Sequence, residues 1–484
     1  MRRTNSTLNG LVWKLLERFG VSGVQFILQI ILARLLSPEH YGVLSIMVIF
    51  TALANVFIQQ GFNTALIQNK DVTDEDYSSV LWVSLGIAAI LYGVIYVASP
   101  LIGLFYNMPD IVAPMRTLAL MLFPGALNSV QLAKVSREMD FRKVFFSNIG
   151  GVVVSGIAGI IIAYLGGGLW ALVAQTLLNV LVACLVMHFT VNLRIKRVCN
   201  LKRIKVLFSY GWKLLVSSLI DTLYQDLRSL VIGKKYDSRM LGYYNRGKQF
   251  PQFINNAING AVQSVMLPAM SAEQDNHTKV KSMLRNAITL SAYFLFPVMA
   301  GLAAVAEPLV ELLLTDKWLP CVPFMQIYCF SFAFYPVHSC NLQAINAMGR
   351  SDIFLKLEVI KKGIGIVALT MAVFCFDSPI AIAATGLITT WIGWFVNAYP
   401  NKKLIGYSYK EQVLDLIPSL CMALIMCGCV LLVGRCSATI GMTSLLILAL
   451  QVVTGVVVYV SLSMISKAKP FYLLLAQVKK MLSK

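Results

Sequence analysis

Five polar side chains, Lys14, Arg18, Ser22, Gln25 and Gln29, recur at spacings of 4, 4, 3 and 4 in an otherwise apolar stretch. At 3.6 residues per turn they share one face of a helix. Lys213, Ser217, Asp221, Tyr224 and Arg228 form a second such stripe in a segment that opens Trp212-Lys213-Leu214-Leu215, as the first opens Trp13-Lys14-Leu15-Leu16. Two amide pairs at i, i+4 follow the stripes, Asn55 with Gln59 and Asn255 with Asn259, and Arg246 and Lys248 precede the second pair. Charged groups inside spans are costly and usually face a cavity or a partner, and amides both donate to and accept from sugar hydroxyls. The candidate substrate-binding residues are therefore Arg18, Gln25, Asn55, Gln59, Asp221, Arg228, Arg246, Lys248, Asn255 and Asn259. Structural roles compete with this reading. Lysines near helix ends, such as Lys14 and Lys213, can snorkel to an interface, Asp221 and Arg228 can neutralise each other, and amides can glue helices together in lipid.

The elements that must carry these groups are membrane helices. Of the 484 residues, 58% are apolar and 13% charged, where a soluble domain would have about a quarter charged. A span needs roughly 20 apolar residues, and the uncharged runs, with the two striped helices, predict an all-α polytopic protein of about fourteen transmembrane helices. The loops are short, which leaves no room for an external catalytic or nucleotide-binding domain. Fourteen spans put both termini on one side, and that side carries 28 of the 41 Lys and Arg residues, against seven on the other and six within spans. This bias predicts cytoplasmic termini. It also accounts for the net charge of +19 without a nucleic-acid partner.

The stripes belong to a longer repeat. Asn55 and Gln59 match Asn255 and Asn259, and Pro124, Gln131 and Asp140 match Pro336, Gln343 and Asp352 after the offset drifts in loops. The repeat predicts two six-helix lobes, residues 1–200 and 201–400, with two extra helices and a basic tail in 401–484, and a substrate site between the halves.

Other chemistry is poorly supported. Gly242-Tyr243-Tyr244-Asn245-Arg246-Gly247-Lys248-Gln249 falls one residue short of a phosphate-binding P-loop and follows no strand. The four histidines lack metal-ligand spacing, and no nucleophile-base or paired-carboxylate constellation is visible, so neither an enzyme nor a metal or other cofactor is expected. Protons and sodium ions are the candidate coupling species, with Asp221 the acid best placed to bind them.

Several segments resemble the bacterial polysaccharide transport family of the multidrug/oligosaccharidyl-lipid/polysaccharide superfamily. They are Ala33-Arg34-Leu35-Leu36-Ser37-Pro38-Glu39-His40-Tyr41-Gly42, Ala65-Leu66-Ile67-Gln68-Asn69-Lys70-Asp71, Leu241-Gly242-Tyr243-Tyr244-Asn245-Arg246 and Ser136-Arg137-Glu138-Met139-Asp140-Phe141-Arg142-Lys143. The last fits the O-antigen, colanic-acid and teichuronic-acid exporter type. The resemblance, over about residues 8 to 400, implies a V-shaped pair of lobes and a flippase for undecaprenyl-pyrophosphate-linked oligosaccharide. It also implies membrane lipids as surroundings, and a polysaccharide polymerase and glycosyltransferases as candidate partners. A drug or metabolite antiporter of the same superfamily is the alternative; one for cationic drugs would line its cavity with acids rather than Arg18, Arg228 and Arg246. A polytopic glycan-processing enzyme is the more distant one.

Overall fold

The computed structural model describes residue 13 and residues 20–482 apart from 69–71, 194 and 199. Among these residues there are helices and no strands. Among the described residues nine helices are long and apolar enough to cross a membrane, or ten if one bent helix is counted. Of the remaining segments of the expected fourteen, the first lies partly outside the described residues, and the others lie on helices or helix pairs that are short, broken or charged, Lys356, Glu358, Lys361 and Lys362 in one case. The chain divides into two compact units, Met1–Gly242 and Tyr243–Lys484.

The first unit contains α1 (Ser22–Leu35), α2 (Pro38–Gln68), α3 (Asp74–Tyr106), α4 (Val112–Ala119), α5 (Leu122–Glu138), α6 (Phe141–Tyr164), α7 (Leu169–Thr190), α8 (Leu201–Lys235) and the first turn of α9 (Ser238–Ser271). Local sequence sets the ends of α3. Thr73 and Asp76 close a capping box at its start, and Asn107, in the left-handed region, ends it. Pro100 removes the amide that would bond the Tyr96 carbonyl. Arg116 from α4 supplies the replacement, its Nε donating to Tyr96 O at 3.2 Å and to Ser99 Oγ at 3.0 Å. Small residues bring α6 close to its neighbours. A β-carbon on Gly151 would sit 2.8 Å from Asn179 of α7, and one on Gly156 would sit 2.3 Å from Leu28 of α1.

The segment leading into α8 is strapped to the start of α3. Ser78 Oγ accepts from the Lys196 amide at 2.9 Å, Ser79 Oγ accepts from the Asn200 amide at 3.0 Å, and Trp82 Nε1 donates to Lys196 O at 3.1 Å. Arg203 then forks onto Asp76 at 3.0 and 2.9 Å. These contacts hold α8 in the first unit, so the packing boundary falls at Gly242/Tyr243 whereas the repeat boundary read from sequence falls at 200/201.

The starts of α2 and α9 cross in backbone contact. A β-carbon on Gly42 would lie 1.7 Å from the Ser238 carbonyl oxygen, and one on Gly242 would lie 2.0 Å from the Pro38 carbonyl oxygen. The contact is reciprocal and joins repeat-equivalent positions, so both family-like motifs need glycine there because nothing larger fits. Arg239 Nε donates to Glu39 beside the crossing at 2.8 Å.

The second unit continues α9 and adds α10 (His277–Ala304), α11 (Ala306–Leu314), a 3-10 turn at Asp316–Cys321, α12 (Val322–Ala333), α13 (Tyr335–Ala347), α14 (Ser351–Cys375), α15 (Pro379–Ile405), α16 (Tyr409–Thr439), α17 (Ser444–Ile465) and α18 (Lys469–Leu482). At the exposed start of α14, the Arg350 guanidinium holds the Asp352 carboxyl down at about 2. The last helices are fastened to α10. Lys281 and Arg285 pair with Glu411 and Asp415 at 2.8 and 2.6 Å. Further along, Pro297 frees the Tyr293 carbonyl, and Tyr459 of α17 donates its hydroxyl there at 2.7 Å. A buried amide core joins α13, α15 and α16: Asn341 and Gln412 exchange two hydrogen bonds at 3.0 and 3.1 Å, and Asn401 donates to Asn341 Oδ1 at 2.7 Å.

Candidate functional site

Six of the ten candidate residues fall in the first unit, five of them among the described residues. Arg18 lies outside the described residues. Gln25 on α1, Asn55 and Gln59 on α2, and Asp221 and Arg228 on α8 are all half-buried. Asp221 and Arg228 each interact with a neighbouring group. Asn55 Oδ1 lies over Gly125 of α5, where the missing side chain leaves it room.

The second unit holds the other four. Asn255 and Asn259 sit one turn apart on α9 and are buried. Lys248 is half-buried, with its ammonium 5.9 Å from the Tyr328 ring. Arg246 is only 4% exposed. Its guanidinium stacks 5.2 Å over the Trp318 ring, and Nη1 donates to Gln249 at 2.6 Å. Gly247 lets α9 approach this closely, since a β-carbon there would lie 2.6 Å from the Cys321 carbonyl oxygen. The P-loop-like stretch is thus a packing motif, with Tyr244 bonding Tyr328 through their hydroxyls.

The amides show a pattern that spacing alone did not resolve. Asn55, Asn63 and Asn128 Oδ1, with both amide atoms of Gln131, find no hydrogen-bonding partner among the described residues of the first unit. Asn255 and Asn259 Oδ1 and Gln343 Oε1 repeat this in the second. An amide acting as glue pairs with its neighbour, and an unpaired buried polar atom costs about 1–3 kcal/mol. These oxygens are therefore not interhelical glue in this conformation. Asn63, Asn128, Gln131 and Gln343 were missed as site candidates, although Asn63 and Gln263 extend the 55, 59 and 255, 259 spacing by one more turn.

Also missed was an apolar groove of about 740 Å³ in the second unit. Residues from α10, α16, α17 and α18 form its walls, including Pro297, Val298, Met426, Val430, Val456 and Phe471. Gln451 is a polar exception, its Nε2 donating to Val430 O at 3.2 Å. Several groove residues face outward, Val456 being 60% exposed. Apart from Gln451 and the two tyrosines, Tyr293 and Tyr459, the residues around the groove are apolar. Sequence gave little sign of it, because a lipid-facing groove and a lipid-facing ridge have the same composition.

Comparison with known proteins agrees with this architecture. The polysaccharide biosynthesis protein family matches residues 31–323, more than half of the chain. The lipopolysaccharide biosynthesis protein WzxC of Escherichia coli is 22% identical over 425 residues, covering 86% of this chain and 85% of the relative. The teichuronic acid biosynthesis protein TuaB of Bacillus subtilis is 22% identical over 477 residues, 96% of each chain. Among solved structures, the lipid II flippase MurJ in an inward closed conformation superposes with a TM-score of 0.73 at 17% identity, covering 95% of this chain and 98% of that one. At that identity the likeness concerns the fold. The chain belongs to the polysaccharide biosynthesis protein family.

Proposed function

We propose that this protein is a flippase that carries undecaprenyl-pyrophosphate-linked oligosaccharide across the bacterial inner membrane for surface polysaccharide synthesis, with both termini cytoplasmic. The observation that carries the reading is the apolar groove of about 740 Å³ in a chain that also holds polar stripes and unpaired amides within its helices. A substrate with a hydrocarbon tail and a hydroxyl-rich head explains both surfaces. A small cationic drug explains neither the groove nor the amides. Family membership and the 22% identity to a lipopolysaccharide and a teichuronic acid biosynthesis protein support the same class of cargo.

The test is reconstitution of the purified protein in vesicles that contain a fluorescent undecaprenyl-pyrophosphate-linked oligosaccharide. The glycan should become protected from an external glycosidase, or exposed to it, only in vesicles that carry protein. Val456→Trp, which fills the groove from its lipid side, should slow that exchange several-fold at unchanged protein level. Exchange no faster than in protein-free vesicles would refute the proposal.

A further inference from the structure

We propose that Glu358, Lys361 and Asn397 form a proton-binding switch inside the second unit, in which Glu358 takes up the proton and Lys361 then passes from Glu358 to the Asn397 side-chain oxygen. This deepens the flippase reading, on which it rests only for the work the proton does. It assigns the coupling role to the second unit rather than to Asp221 in the first. Glu358 lies seven residues into α14, about 10 Å from its start at 1.5 Å per residue. Lys361 Nζ donates to Glu358 Oε1 at 2.6 Å, and the two side chains are only 14% and 25% exposed. Two charges held in a span cost more than one i, i+3 pair returns, so support of the helix does not account for them.

The neighbouring helices supply the second position of the switch. Asn397 of α15 is fully buried, and its Nδ2 donates to His338 of α13, to Nδ1 at 3.3 Å and to O at 3.1 Å. Its Oδ1 has no hydrogen-bonding partner among the described residues. A buried carbonyl oxygen in that state is an acceptor that gains from the arrival of a donor. Lys361 is the donor at hand. A β-carbon on Gly393, one turn before Asn397 on the same face of α15, would lie 3.6 Å from Lys361 Cδ. The ammonium lies two bonds beyond Cδ and a helical turn is about 5.4 Å, so rotation of the side chain carries it from Glu358 toward Asn397. In the step itself a hydronium ion gives its proton to Glu358, an O–H bond forms there, the ion pair breaks, and Lys361 keeps its charge against the amide oxygen. Loss of the proton to water reverses it. Few other groups face the pair. Helix α14 packs against α15 and α13. There is no charged side chain on α15 between Pro379 and Lys402, while α13 brings His338, on which Lys361 acts electrostatically, and Tyr335, on which Glu358 does. On α14 itself Lys356 is exposed and Lys362 half-buried.

The experiment places the full-length protein in vesicles at clamped membrane potential, with the fluorescent lipid-linked oligosaccharide and an imposed pH difference. One proton per cargo shifts the steady-state distribution of glycan between the leaflets by up to about tenfold for each unit of pH difference. Glu358→Gln should hold that ratio near unity, and Glu358→Asp should restore part of the shift. Glu358→Gln with Lys361→Gln leaves no unpaired charge, and should lose the shift at a normal protein level. The readout without cargo is the emission of Trp394, three residues before Asn397 on α15 and bonded to Gln412 at 3.1 Å. Lowering the pH should change it in the wild type and not in Glu358→Gln. A wild-type pH response that persists in both glutamine variants, or a glycan shift driven by a sodium gradient at equal pH, would overturn the inference. Vesicles in which Trp394 responds through Glu358 while no glycan crosses would support the proton site and refute the flippase reading.

Discussion

Replacing Gly42 with alanine puts a β-carbon 1.7 Å from the Ser238 carbonyl oxygen. A carbon and a carbonyl oxygen in favourable contact lie about 3.3–3.6 Å apart, so α2 and α9 must separate by roughly 1.5 Å. Neither partner can rotate away, because the obstructing atom is backbone. Overpacking of this kind costs about 1–3 kcal/mol and sometimes more. Against it stands the gain of about 1 kcal/mol from replacing glycine by alanine inside a helix. The backbone clash places Gly42→Ala at the upper end of that range, for a net loss of about 2 kcal/mol. Gly242→Ala, at 2.0 Å from the Pro38 carbonyl oxygen, should behave alike. Gly86 and Gly93 on α3 supply the control, since a β-carbon at either meets nothing within 4 Å. Alanine at those two positions should be neutral or stabilising. The assay is thermal unfolding of the detergent-purified variants by a thiol-reactive or tryptophan fluorescence readout, with glycan export measured in cells. A Gly42→Ala protein that melts with the wild type and exports normally would refute the argument, as would equal losses at Gly86.

Two further predictions come from polar contacts. Arg246→Ala removes the guanidinium over Trp318 and its bond to Gln249. It should lower the protein level in membranes together with export, with Arg246→Lys intermediate; a normal level with export abolished would instead assign Arg246 to substrate binding. Asp76→Ala breaks the fork to Arg203, at a cost of about 1–3 kcal/mol for a hydrogen-bonded charge pair that is buried on one side only. It should make the strap at 191–200 readily cut by trypsin at Arg197, measured as fragment yield over time, whereas wild-type resistance in the variant would show that the serine and tryptophan contacts suffice.

Hydropathy was sufficient to place this chain in a bilayer, because burial in lipid acts on every residue of a span and needs no tertiary partner. The repeat was equally legible: Asn55 and Asn255, or Gly42 and Gly242, keep their spacing regardless of how the helices pack. Charge at a residue was legible too, but what a charge meets was not. That Arg246 is a charge within an apolar helix can be read from sequence, but not that the fold stacks it on Trp318, 72 residues away in the chain, through a close approach that Gly247 permits. The serines and Asp76 that hold α8 in the first unit likewise act across 118 to 127 residues of sequence. The groove is a third case, since apolar residues on α10, α16, α17 and α18 become a trough or a ridge only when the tilt and spacing of the four helices are set. Periodicity along one helix determines which residues share a face. Only packing between helices decides whether that face meets lipid, a neighbour or a substrate, since contact distances of 3 to 4 Å depend on three-dimensional separations that no single helix encodes.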